Sequence, residues 1–186
     1  MAKVIRTTVF LVLSFFFVCG AWAGEFYATV TKISDGDTIW VITDTGKKIK
    51  IRLIGIDTPE KYSGRKLERD ASHCNVRAGR IKNLGQLATH HIKTLLHKGD
   101  RVKIVPRGRG YYKRVLAYVI LPDGTNVNYR MVADGYACVY TWHGKRPEGV
   151  GVLEFVKLKA FLLQAKKEKR GLWGVDFELM RCLCGF

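Results

Sequence analysis

The sequence predicts an α+β fold, mainly β: a small closed barrel of five strands carrying three α-helices. Five short runs rich in β-branched and aromatic residues, separated by Gly, Asp and Pro turn signals, supply the strands. Three apolar stripes at helical spacing supply the helices. The length after residue 23 suits one domain with one core, and no later segment is long and apolar enough to span a bilayer.

Residues 1–23 read as a secretory signal: Lys3 and Arg6, an apolar run over 9–18 broken only by Ser14, then Ala21-Trp22-Ala23. Cleavage after Ala23 leaves 24–186 as a single domain, exported to the periplasm or the medium. Residues 26–33 form the first strand. Gly36 turns the chain into Thr38–Thr43, and Asp44-Thr45-Gly46 turns it again. From Lys48 the chain alternates, Ile49, Ile51 and Leu53 on one face and Lys48, Lys50 and Arg52 on the other, so Arg52 points away from the core side. These three strands make a meander.

Residues 62–78 are polar and basic without a sustained period, which predicts a loop. Ile81, Leu84, Leu87, Ala88, Ile92, Leu95 and Leu96 then recur at helical spacing before Lys98-Gly99. His90 and His91 on this helix have no carboxylate close in sequence and are expected to be surface residues. Residues 101–106 and 114–121 are the last two strands, joined by a basic, Gly-rich loop ending Tyr111-Tyr112-Lys113. A short helix is expected over 127–133 and a strongly apolar one over 152–169, its basic end favourable to the helix dipole. Five strands with interspersed helices point to a barrel of the oligonucleotide-binding type.

The formal net charge of +16 attracts polyanions and says little about fold. Against that background stand two acidic clusters, Asp35-Gly36-Asp37-Thr38 and Asp57-Thr58-Pro59-Glu60, with Arg52 between them. Phosphodiester hydrolysis needs the phosphate charge shielded, a water aimed at phosphorus, and stabilisation of the charge growing on oxygen. Asp37 and Asp57 are the candidate ligands for a hard cation such as calcium, leaving Glu60 to orient water or accept a proton. Each piece alone has an ordinary structural role, since Asp-Gly is a common turn and Thr58-Pro59 starts helices. Their joint occurrence in order, on a cationic exported chain, favours the chemistry.

Cys74, Cys138, Cys182 and Cys184 allow three disulfide pairings in an oxidising compartment. A Cys182 to Cys184 bond would close a very small ring, so one of these two is expected to join Cys74 across a long loop. The rival is a zinc site from His73, Cys74, Cys182 and Cys184, which the adjacent His-Cys pair disfavours.

S-D-G-D-T, the strand bearing Arg52, I-D-T-P-E and Y-Y-K-R-V-L-A-Y-V together resemble the staphylococcal-type thermonuclease family, over about residues 26–173. The resemblance implies a five-stranded barrel with three helices and a calcium-dependent nuclease cutting DNA and RNA with little sequence preference. It implies calcium ligation by Asp37, Asp57 and the Thr58 carbonyl, with Glu60 as general base or water-orienting residue. Arg52 and Arg114 would bind the scissile phosphate, with Arg114 placed before Val115-Leu116-Ala117-Tyr118. Tyr112 and Lys113, with Tyr140 and Trp142, are the implied substrate contacts. A monomer is expected, with no stable membrane insertion. The chain departs from the simplest members in the long basic stretch 62–80, in its cysteines and in the tail 175–186. The alternative is a nucleic-acid-binding barrel without catalysis; a membrane or cell-wall association rests on charge alone.

Overall fold

A computed structural model describes residues 24–186, so the expected signal peptide, residues 1–23, lies outside the described residues. The strands are β1 (Phe26–Asp35), β2 (Thr38–Thr43), β3 (Lys48–Leu53), β4 (Ile56–Asp57), β5 (Arg101–Arg109), β6 (Val115–Ile120) and β7 (Cys138–Val139). The helices are α1 (Arg65–His73), α2 (Ala78–Leu95), α3 (Val127–Ala133), α4 (Val152–Lys167), α5 (Leu172–Val175) and α6 (Phe177–Leu183). Five strands close a barrel in the order β1-β2-β3-β6-β5, and β4 and β7 form a separate two-stranded sheet. Only β3 and β6 pair in parallel within the barrel.

The barrel closes because each of its strands offers alternate side chains to one interior. Ala28 and Val30, Ile39 and Val41, Ile51 and Leu53, Val102 and Ile104, and Ala117 and Val119 are all buried. Two-residue spacing places each pair on the same face of its strand. β5 outruns the expected 101–106 and continues to Arg109, absorbing Pro106 with a register shift before Gly108. A proline without an N–H fits a strand at such an irregularity.

α2 buries Ile81, Leu84, Ala88 and Ile92, while Leu87 is exposed and Leu95 only half-buried. Beneath α3, Asn128 is wholly buried and fully used: its amide donates to the carbonyls of Ile54 and Ala117 at 2.9 and 3.1 Å and accepts the Val119 N–H at 3.1 Å. This ties the end of β3 to β6, at the rim where the candidate residues lie.

Two expectations are corrected, the loop over 62–78 and the surface place of His91. The predicted loop over 62–78 contains helix α1, whose inward stripe is only Leu67 and Ala71. Two apolar residues four apart, among charges, are too few to register as a period; packing against α2 and a disulfide hold the helix. Residues 172–183 fold into α5 and α6, burying Trp173, Leu179 and Met180. Cys74 is bonded to Cys182 and Cys138 to Cys184, with Cα atoms 5.8 and 5.2 Å apart. The thiolates a zinc site would need are therefore consumed, while the expected tie from the tail to Cys74 is present. His91, expected on the surface without a carboxylate, is half-buried, 2.9 Å from Asp134 and stacked on Tyr136.

Candidate active site

Asp37 sits where the chain turns from β1 into β2, and its residue is 5% exposed. One carboxylate oxygen accepts the Thr58 backbone N–H and the Thr58 hydroxyl, each at 2.9 Å; the other accepts the Thr38 hydroxyl at 3.1 Å. A side chain at Gly36 would come within 2.9 to 3.0 Å of Thr58 and Ala88. Glycine is needed there for close approach, since Gly36 is not among the positive-φ glycines. The turn thus lies flat against the second acidic cluster.

Arg52 bridges the two clusters. Its register opposite Thr38 brings it beside Asp37, with which it forms an ion pair, and it donates to Asp57 at 2.6 Å and to the Ile56 carbonyl at 3.3 Å. Two hydrogen-bonded carboxylates around one guanidinium make a compact arrangement that a point-charge ammonium could not reproduce.

Asp57 lies on β4 opposite Cys138 of β7, the strand fastened by the Cys138–Cys184 bond. Burial would raise its pKa, but the Lys66 and Arg52 charges outweigh this and hold it below the ordinary carboxylate value. Lys66 of α1 reaches Asp57 at 3.0 Å and Glu60 at 2.8 Å. Glu60 follows Pro59 on a segment packed directly against Gly85 of α2, where a methyl group would meet the Pro59 oxygen at 2.6 Å.

Arg114 enters the same cleft from the single turn of 3₁₀ helix at Tyr111–Lys113, donating to the Tyr111 carbonyl at 3.1 Å. Burial, with the Arg52 charge adding to it, draws its pKa below the usual arginine value. A guanidinium nonetheless stays protonated at neutral pH. Asp37, Arg52, Asp57, Thr58, Glu60 and Arg114 all line one cleft of about 840 Å³.

Tyr140 and Trp142 line this cleft. Tyr111, itself exposed, lines it too, whereas the exposed Tyr112 does not and sits with its ring 5.9 Å from the Arg114 guanidinium. The side chain of Lys113 lies outside the described residues. Lys61, Lys66, Arg69, Arg109 and Arg146 add positive charge to the lining and were not singled out from the sequence. Helical spacing of Lys66 with Asp70 would have been the signal, had residues 65–73 carried a longer apolar stripe.

Among the described residues no three His, Cys, Asp or Glu side chains gather in metal-binding geometry. A hard divalent cation with two carboxylates, a carbonyl, water and phosphate oxygens needs no such triplet. Asp37 and Asp57 meet this donor chemistry, since both touch the same guanidinium and both offer oxygen.

A sequence model of the family described as staphylococcal nuclease homologue matches residues 50–175. Endonuclease YhcR of Bacillus subtilis (strain 168) is 31% identical over 160 residues, covering 84% of this chain but 12% of that protein. An uncharacterized endonuclease of Escherichia coli is 32% identical over 159 residues, 86% of this chain and 84% of that one. A micrococcal nuclease of Shigella flexneri is 28% identical over 161 residues, 82% of this chain and 76% of that one.

Proposed function

The chain belongs to the staphylococcal nuclease homologue family, and from that premise we propose that it is an exported, calcium-dependent nuclease that hydrolyses DNA and RNA with little sequence preference. The observation that carries this reading is the shared cleft, in which Asp37, Asp57, Glu60, Arg52 and Arg114 meet in a strongly cationic protein.

Asp37, Asp57 and the Thr58 carbonyl would hold the calcium, which supplies charge neutralisation at the phosphate. Arg52 and Arg114 would donate to the non-bridging oxygens, where charge grows as water attacks phosphorus. Glu60 would orient that water or take its proton, giving a new P–O bond as the ester P–O bond breaks. Tyr140 and Trp142 offer aromatic faces on which bases can stack without being read, which suits low sequence preference. Export is supported by the signal pattern at 1–23 and by two disulfides, which persist in oxidising compartments.

The test is cleavage of single-stranded DNA with calcium, with magnesium and with chelator, for the parent and Glu60→Ala. We expect calcium-dependent cutting, weak activity with magnesium, and a loss of at least about a hundredfold in Glu60→Ala with DNA binding retained. Binding without cutting by the parent would instead favour the non-catalytic barrel.

A further inference from the structure

Lys66 has no part in the reaction outlined above, yet its ammonium lies within 3.6 Å of three carboxylates: Glu60 at 2.8 Å, Asp57 at 3.0 Å and Asp70 at 3.6 Å. Two of these belong to the candidate machinery. Lys66 also lines the cleft itself. Its backbone is not free to wander, because α1 buries Leu67 and Ala71 against the core and the residue capping its C-terminus, Cys74, is bonded to Cys182. A long flexible side chain on a fixed helix is therefore aimed at the acidic cluster.

The charges explain why such a lysine is useful. Asp37, Asp57 and Glu60 would repel one another in one cleft, and Arg52 touches only the first two. Lys66 supplies the balancing cation for Asp57 and Glu60. A divalent ion at Asp57 needs the same carboxylate oxygens, and it repels an ammonium held against them.

We propose that Lys66 is a positioning residue that shares Asp57 with the divalent ion: it holds Asp57 and Glu60 in place while no ion is bound, yields Asp57 when one binds, and keeps its hold on Glu60 throughout. Metal affinity is then set partly by helix α1, an element outside the acidic clusters. This rests on the reading of Asp57 as a calcium ligand.

The experiment is calcium binding by calorimetry, with thermal unfolding in chelator and in saturating calcium, for the parent, Lys66→Met and Lys66→Arg. Lys66→Met should bind calcium about tenfold more tightly, as loss of a nearby like charge implies. It should melt below the parent in chelator but close to it in saturating calcium, and its turnover should fall because Glu60 loses its partner. Tighter metal with slower turnover is a combination that a purely structural lysine would not produce. Lys66→Arg should keep the parental affinity.

Unchanged or weaker calcium binding by Lys66→Met, or an equal loss of melting temperature with and without calcium, would overturn the inference and leave the nuclease reading standing. Absence of calcium binding by the parent as well would overturn the calcium reading itself, and this inference with it.

Discussion

The backbone N–H of Thr58 donates to the Asp37 carboxylate at 2.9 Å, joining two turns separated by 21 residues of chain. The Thr58 hydroxyl and the Thr38 hydroxyl complete the same carboxylate. Asp37→Ala would leave these donors without an acceptor and Arg52 with a single carboxylate partner, Asp57. We expect a stability loss of about 2–4 kcal/mol in chelator, because buried donors lose their acceptor and a cation its counter-charge. Urea unfolding measures it, and calcium titration of the folded variant should show binding weakened by at least about tenfold.

Arg52→Lys isolates geometry from charge. A lysine keeps the positive charge but cannot donate to Asp37 and Asp57 from one planar fork. Cleavage should fall by roughly a hundredfold, as for loss of one oriented donor to a developing oxyanion. Steady-state kinetics on a defined oligonucleotide should show most of the loss in kcat.

Gly85→Ala tests the support behind Glu60. The added methyl would stand 2.6 Å from the Pro59 oxygen and 2.7 Å from the Glu60 carbonyl carbon, so backbone must move. Overpacking of this kind costs about 1–3 kcal/mol. The displaced segment carries Glu60, so kcat should drop well before KM changes. A variant as stable and as active as the parent would show that the segment shifts freely.

The pH dependence of stability should carry a signature of Asp134, which links α2 and α3. Burial pushes its pKa up, but hydrogen bonds and charge from His91 and Arg130 push it down further, so the folded value lies below 3.8. Folding stability from this group is therefore fully present above the unfolded value near 4 and is lost as pH falls through the lower folded value. Asp134→Asn should cost about 1–2 kcal/mol at neutral pH and progressively less in acid. Parallel denaturation curves from pH 3 to pH 7 would reveal the convergence.

The Cys74–Cys182 bond spans 108 residues of sequence and clamps the helix carrying Lys66 to the tail. Replacing both cysteines by serine should destabilise the protein by about 2–5 kcal/mol, by releasing chain entropy in the unfolded state. Hydrogen exchange should show the amides of α1 losing protection first, because α1 buries only two residues of its own.

Long patterns were legible in the chain and short ones were not. Five runs of β-branched and aromatic residues between turn signals, one of them strictly alternating, announced the barrel, and the stripe from Ile81 to Ile92 announced α2, because such patterns run over many residues. Helix α1 repeats its period once, between Leu67 and Ala71, so its sequence reads as loop. The acidic clusters could be singled out because their residue types are unusual in so cationic a chain, whereas Lys66, Arg69 and Arg109 were lost among many basic residues. Tyr111 and Tyr112 are adjacent and chemically identical, so only backbone geometry separates the one lining the cleft from the one that does not; Tyr112 takes a φ of 60°.

By itself the amino-acid order determined which segments form strands, that the first three make a meander, and which side chains had the chemistry for a cation and a phosphate. Those properties are local, carried by periods of two and of 3.6 residues and by side-chain type. Only the folded chain decided that Arg52 closes between Asp37 and Asp57, that Lys66 joins Asp57 to Glu60, and that Cys74 pairs with Cys182 while Cys138 pairs with Cys184. These contacts unite residues from different elements. Their distances depend on how the barrel closes and how α1 docks, which no single segment encodes.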